Sequence, residues 1–169
     1  MQEENIPSEI IAGRTMSHLS GKYLTFSLGK ENYGVEILKV QEIIGVIKIT
    51  RVPKSPHYLK GVINLRGKII PVVDLRLKIG LPEKAYDEKT CFIVVNAAIG
   101  GKAVSVGVVV DTVLEVTHFE ESMIQPAPDY GNNSDTSYIL GLGKRNTNVV
   151  ILIDINRSLE SAAGSLMSY

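Results

Sequence analysis

With 169 residues, 44% of them hydrophobic and 21% charged, the chain has room for one domain, or two small ones, with ordinary globular cores. Eighteen basic residues balance eighteen acidic ones, which removes the electrostatic footprint expected of a protein that binds DNA or an anionic membrane. The single cysteine, Cys91, excludes an intramolecular disulfide and suits a reducing compartment.

Residues 1–20 begin Met1-Gln2-Glu3-Glu4, acidic where a secretory signal is basic, and Ile10-Ile11-Ala12 is too short an apolar run to be one. They read as a mobile tail. No run approaches the roughly 18 apolar residues of a membrane span, so a cytoplasmic protein with no direct membrane insertion is expected. Lys22–Leu28 alternates as a strand, and after the turn Gly29-Lys30-Glu31-Asn32 a second strand runs from Tyr33 towards Val46. Ile69–Val73 is the nearly continuous apolar run of a strand buried on both faces. Pro71 inside it has no N–H to donate, which places that position at an edge or a bulge. Asp74 can cap a short helical turn over Leu75–Ile79, stopped by Gly80 and Pro82. The polar stretch 81–90 then crosses to a second hairpin, Cys91–Asn96 with Ala103–Val116, turning at Gly100-Gly101. Between His118 and Ser137, Pro126-Ala127-Pro128 stiffens a polar loop that presents Tyr130. Val149–Ile153 is a second buried strand, and Asp154 or Asn156 can cap a helix from about Arg157 to Leu166.

These elements form a repeat. Tyr58, Gly61 and Asp74 recur as Tyr138, Gly141 and Asp154 at an offset of 80, with apolar residues matching between Gly and Asp. Upstream, Val40-Gln41-Glu42-Ile43 matches Val110-Asp111-Thr112-Val113 at an offset of 70, so the second copy carries ten extra residues between them. One supersecondary unit used twice is implied. Copies of about 60 to 75 residues are marginal alone, so the halves are expected to share a core. Short strands and Gly-rich turns make the fold all-β, built of small barrels.

No catalytic constellation emerges. Cys91 opens an apolar strand, His18, His57 and His118 lack partners at metal-ligand spacing, and Gly141-Leu142-Gly143 is too short for a phosphate loop. No cofactor, metal or enzymatic activity is expected. Balanced charge and the absence of Trp argue against single-stranded nucleic acid. Partner binding has better material. Arg66 sits in a turn between apolar strands, where its guanidinium can fork onto Glu42 of the preceding long strand, and the offset of 80 places Asn146 at its counterpart.

Gly34 to Ile43, Leu59 to Arg76 (with Asn64-Leu65-Arg66-Gly67 inside it), Val108 to Asp111, Ile124 to Pro128 and Tyr138 to Gly143 together resemble the CheW family of chemotaxis coupling proteins. The resemblance covers roughly residues 20 to 160. It implies two tandem SH3-like five-stranded β-barrels on a common apolar core: a tail (1–20), a single CheW-like domain (21–160) with barrel one at about 21–82 and barrel two at about 83–155, strand exchange being possible, and a C-terminal helix and tail (156–169). It also implies a non-enzymatic adaptor between the cytoplasmic tip of methyl-accepting chemotaxis receptors and the regulatory domain of the histidine kinase CheA, recruited to membrane receptor arrays through protein contacts. A scaffold for a CheA-like kinase in a non-chemotactic pathway is the alternative. Carried over by position, Val40, Glu42, Lys60, Asn64 and Arg66 would face the receptor, and Gln125, Asp129 and Tyr130 the kinase.

Overall fold

The computed structural model describes residues 17–128 and 136–160. The first strand, β1 (Gly21–Leu28), turns into β2 (Glu31–Glu36). The expected continuous strand from Tyr33 to Val46 is broken: a 3-10 turn at Ile37–Lys39 separates β2 from β3 (Val40–Gly45), and across it the chain leaves one sheet for the other. Next come β4 (Leu59–Leu65), β5 (Lys68–Asp74) and a four-residue helix α1 (Leu75–Lys78), whose first turn is capped by Asp74 Oδ1 accepting from the Arg76 amide at 3.0 Å. The second half supplies β6 (Cys91–Ile99), β7 (Lys102–Val110), β8 (Thr112–Phe119), β9 (Ile124–Gln125), β10 (Ile139–Arg145), β11 (Asn148–Ile153) and α2 (Ile155–Glu160). Helix α2 starts two residues earlier than expected because Asp154 caps it, its Oδ1 accepting from the Arg157 amide at 3.2 Å. Asn156, the other candidate, instead accepts from the Ala98 amide at 2.9 Å, and the expected stretch to Leu166 lies outside the described residues.

The sheets do not follow the two halves of the chain. One has the order β8-β1-β2-β11-β10-β9, the other β3-β6-β7-β5-β4. Each copy's leading hairpin has gone to the other copy's sheet: β1–β2 lies among β8 to β11, and β6–β7 among β3 to β5. A boundary at 82/83 therefore divides the sequence but not the sheets, and the first sheet has six strands rather than five because two-residue β9 adds to its edge. The repeat survives in the ladders. Strand β5 runs parallel to β7 with Val72 opposite Gly107, and β11 runs parallel to β2 with Leu152 opposite Gly34. The backbone carbonyls of Tyr58 and Tyr138 accept from the amides of Asp74 and Asp154 at 2.7 and 2.8 Å, and the repeated Asp is accounted for by the helix that its side chain caps in each copy.

The repeated glycine has a steric reason. A Cβ on Gly61 would lie 2.1 Å from the Thr50 carbonyl oxygen, and one on Gly141 would lie 2.9 Å from the Gln125 carbonyl oxygen. At both places another segment crosses the strand against bare backbone, Thr50 bridging Val62 in one copy and β9 pairing with β10 in the other.

Successive strand residues point to opposite faces, and here both faces are buried. Ile93 and Val95 of β6 join Leu24, Phe26, Val73 and Ile153 in a core shared by the two sheets, while Phe92 and Val94 join Ile63, Ile70 and Val72 in a core private to the five-stranded sheet. Tyr23, Phe119, Ile124, Val150 and Leu152 fill the private core of the six-stranded sheet. The apolar runs are explained, although their first members emerge: Ile69 is 59% and Val149 47% exposed. Pro71 lies inside β5, not at an edge or in a bulge. It is tolerated because the ladder from β5 to β7 begins only at Val72.

Candidate functional site

The turn from β4 to β5 is a two-residue hairpin, Leu65 pairing with Lys68, in which Arg66 (φ 53°) and Gly67 (φ 86°) are both left-handed. Positive φ at both central positions matches the right-handed twist of the flanking strands. Asn64 Oδ1 stabilises the turn by accepting from the Gly67 amide at 2.8 Å. From this corner the Arg66 guanidinium donates to Glu42 Oε2. Glu42 is on β3 and Arg66 follows β4, strands at opposite edges of the five-stranded order, so the contact closes the sheet on itself as a barrel. The hydrogen bond and charge of Glu42 raise the Arg66 guanidinium above its ordinary pKa. Asn146, the counterpart of Arg66, is left-handed too, at φ 58°.

Beside the pair is a cavity of about 290 Å³ lined by Gln41, Glu42, Arg66, Lys68 and Ser105, among others. Its floor is a relay: Lys68 Nζ donates to Ser105 Oγ at 3.1 Å, and Ser105 Oγ donates to Gln41 Oε1 at 2.9 Å. Sequence reasoning missed these three. The available signal was Ser105, a polar residue inside Ala103–Val110 where nearly every neighbour is apolar. Exposed Ile69, paired with Asn64, adds an apolar edge to the corner.

The receptor-facing candidates divide. Glu42, Asn64 and Arg66 converge at this corner, and Val40 at the start of β3 is half-buried against the shared core. Lys60 stands apart. It lies at the far end of β4, about 20 Å of strand from Arg66 at some 3.3 Å per residue, and its Nζ is held by Glu83 Oε2 at 2.7 Å. On the second face Gln125 is exposed on β9, which pairs with Leu142 and Gly143 of β10. Asp129 and Tyr130 lie outside the described residues.

Among the described residues no group of three or more His, Cys, Asp or Glu side chains could hold a metal, and no helix is long and apolar enough to cross a membrane. Exposed apolar side chains recur at the repeat offsets of 70 and 80: Val46 just after β3 and Ile69 on β5 match Val116 on β8 and Val149 on β11. The class defined by this fold is a double-barrel β protein whose distinctive chemistry lies at surface corners.

The family model for the CheW-like domain matches residues 22–163, and the chain belongs to that family. It is 42% identical over 158 residues to the chemotaxis protein CheW of Klebsiella aerogenes, covering 90% of this chain and 93% of that one. It is 33% identical over 142 residues to the chemotaxis protein CheW of Helicobacter pylori, covering 82% and 81%. The crystal structure of the scaffolding protein TtCheW from Thermoanaerobacter tengcongensis superposes with a TM-score of 0.76 at 32% identity, covering 88% of this chain and 98% of that one.

Proposed function

We propose that the protein is a non-enzymatic chemotaxis adaptor that couples methyl-accepting receptors to CheA in the cytoplasm, at membrane receptor arrays. The observation that carries this reading is Arg66. The hairpin needs a left-handed residue at this position, and the second repeat meets the need with Asn146, a residue type that tolerates it. The first repeat uses arginine, which adopts that conformation at a cost and gains a guanidinium aimed at Glu42 from an exposed corner. Backbone strain kept for one side chain supports a binding task. Arginine beside an exposed isoleucine is also the make-up of an interface anchor.

In this reading Glu42, Asn64 and Arg66 form the receptor-facing corner, with Val40 beneath and Lys60 outside the cluster. The helical hairpin of a receptor tip would lay its apolar face against the exposed aliphatic side chains. Gln125, on the other sheet, would serve the kinase, and Asp129 and Tyr130 are assigned the same partner. Two faces on one body let receptor and kinase bind together, and repetition in an array turns weak contacts into avidity. Calorimetric titration of the full chain against an isolated receptor tip, and separately against the CheA regulatory domain, tests the assignment. Arg66→Ala should weaken the first by about tenfold and spare the second, with Tyr130→Ala doing the reverse. Equal loss in both titrations refutes the division of faces, and wild-type silence towards both moves the scaffold to another kinase pathway.

A further inference from the structure

Lys60 and the loop before it form a second site. Residues 51–57, with Leu59, Lys60, Leu77 and Glu83, line a cleft of about 500 Å³. An adjoining open space of about 450 Å³ shares Arg51, Lys60 and Glu83 and is bounded by Ile49, Lys84 and Tyr86 as well. Three permanent cations, Arg51, Lys54 and Lys60, together with His57, face one carboxylate, Glu83, in a chain whose net charge is zero. Arg51 and Lys54 make no ion pair among the described residues.

The frame holding these charges is stiff. Pro53 and Pro56 bracket the loop, Ser55 Oγ donates to the Val52 carbonyl at 2.8 Å, and the Leu59 amide donates to the Pro56 carbonyl at 3.1 Å. Thr50 and Val62 exchange backbone hydrogen bonds at 2.8 Å. Lys54 is held left-handed at φ 61° within the turn.

We propose that this cleft binds a carboxylate-rich segment of a partner protein, and that Glu83 is the internal stand-in which that segment displaces. The Lys60 side chain is 17% exposed and that of Glu83 66%. A cation so far withdrawn from water requires a counterion, but an exposed carboxylate on a loop is a weakly held one, since solvent screens a surface pair. Lys60, with Arg51 and His57 behind it, holds the Glu83 carboxyl below its usual range, so an anion is favoured at this point. The occupant on view is itself a carboxylate at 2.7 Å, which argues for the same chemistry in its replacement. Two joined spaces suit an extended acidic segment better than a single phosphate, and a braced backbone reduces the ordering cost of binding. The site stands apart from the Arg66 corner and does not depend on which partner docks there.

The test is an amide NMR titration of the full chain with a blocked hexaglutamate peptide, and in parallel with inorganic phosphate. Peptide-induced shifts should be confined to residues 49–60 and 83–86. Removing the competing charge with Glu83→Gln should tighten peptide binding about two- to fivefold, the range set by the strength of a surface pair. The double variant Arg51→Gln, Lys54→Gln, changed only at exposed side chains, should abolish it. Shifts scattered over the surface, an unchanged affinity in Glu83→Gln, or phosphate binding as tightly as the peptide would each overturn the proposal.

Discussion

Arg66 and Tyr86 show how single residues can work against the fold. Replacing Arg66 by Asn, the residue of the second repeat, removes the guanidinium and relieves the left-handed strain. Arg66→Asn should therefore raise Tm by about 2–4 °C while receptor-tip affinity falls, a combination that a structural ion pair would not produce. Tyr86 has a buried hydroxyl without a hydrogen-bond partner. Because a buried donor left unsatisfied costs ~1–3 kcal/mol, Tyr86→Phe should leave urea stability unchanged or raise it by about 1 kcal/mol. Burial, with lesser contributions from Asp74 and Glu83, pushes the Tyr86 hydroxyl well above its ordinary range. Burial likewise pushes Tyr23 and Tyr33 up to about 12, Glu36 adding to the first and Tyr138 and Glu31 to the second. Raised values favour the protonated folded state, so this stability is complete below about pH 10, the tyrosine value in an unfolded chain. It is lost as pH rises from there through about 12. Denaturant midpoints taken from pH 8 to 12 should fall steeply only above 10.

Among the elements, the two strand crossings make unequal demands on the same residue type. Gly61 faces the Thr50 carbonyl at 2.1 Å from a built Cβ and has φ 141°, whereas Gly141 meets Gln125 at 2.9 Å. Gly61→Ala should cost more than about 3 kcal/mol, and Gly141→Ala clearly less, by thermal or urea unfolding of the two variants side by side. The repeat that exposed these glycines was legible because Gly and Asp each answer a local requirement, a close crossing and a helix cap. The exchange of hairpins was not legible, because β1–β2 and β6–β7 present similar apolar alternation and either could complete either sheet. The break at Ile37–Lys39 was hidden for a related reason, since the residues on both sides favour strands and only the change of sheet requires the turn. For the candidate site, the Glu42–Arg66 contact followed from Arg66 lying in a turn opposite a long strand. The separation of Lys60 did not, because short sequence distance along a strand is long distance in space.

At the scale of the molecule, the two sheets are tied together by more than apolar packing. Arg76 Nη1 meets Asp111 Oδ2 at 2.6 Å, the same oxygen accepts from the Gly29 amide at 2.8 Å, and the two side chains are only 13% and 9% exposed. One carboxylate thus joins α1, the turn between β1 and β2, and the junction of β7 with β8. Asp111→Ala should cost about 3–5 kcal/mol, because Arg76 is left buried and unpaired, read as a loss in the urea midpoint. The exchanged hairpins tie the halves further. Residues 1–86 and 87–169 produced separately should each lack the dispersed amide spectrum of a folded protein. Mixed, they should recover it, since each holds the hairpin that the other's sheet requires.

The parallel pairing of β2 with β11 carries a consequence for the order of events during synthesis. Gly34 leaves the ribosome 118 residues (152 − 34) ahead of its neighbour Leu152. Until β11 has emerged, the N-terminal hairpin has no parallel partner, and its apolar face with Phe26 and Val35 waits in water. Assembly of the six-stranded sheet is thereby deferred until β11 has been made, and the long chain excursion closed at that moment makes folding slow for a protein of this size. During that interval the unclosed hairpin of one nascent chain is an acceptable partner for the final strand of another, so this architecture places its greatest exposure to domain-swapped misassembly on the polysome.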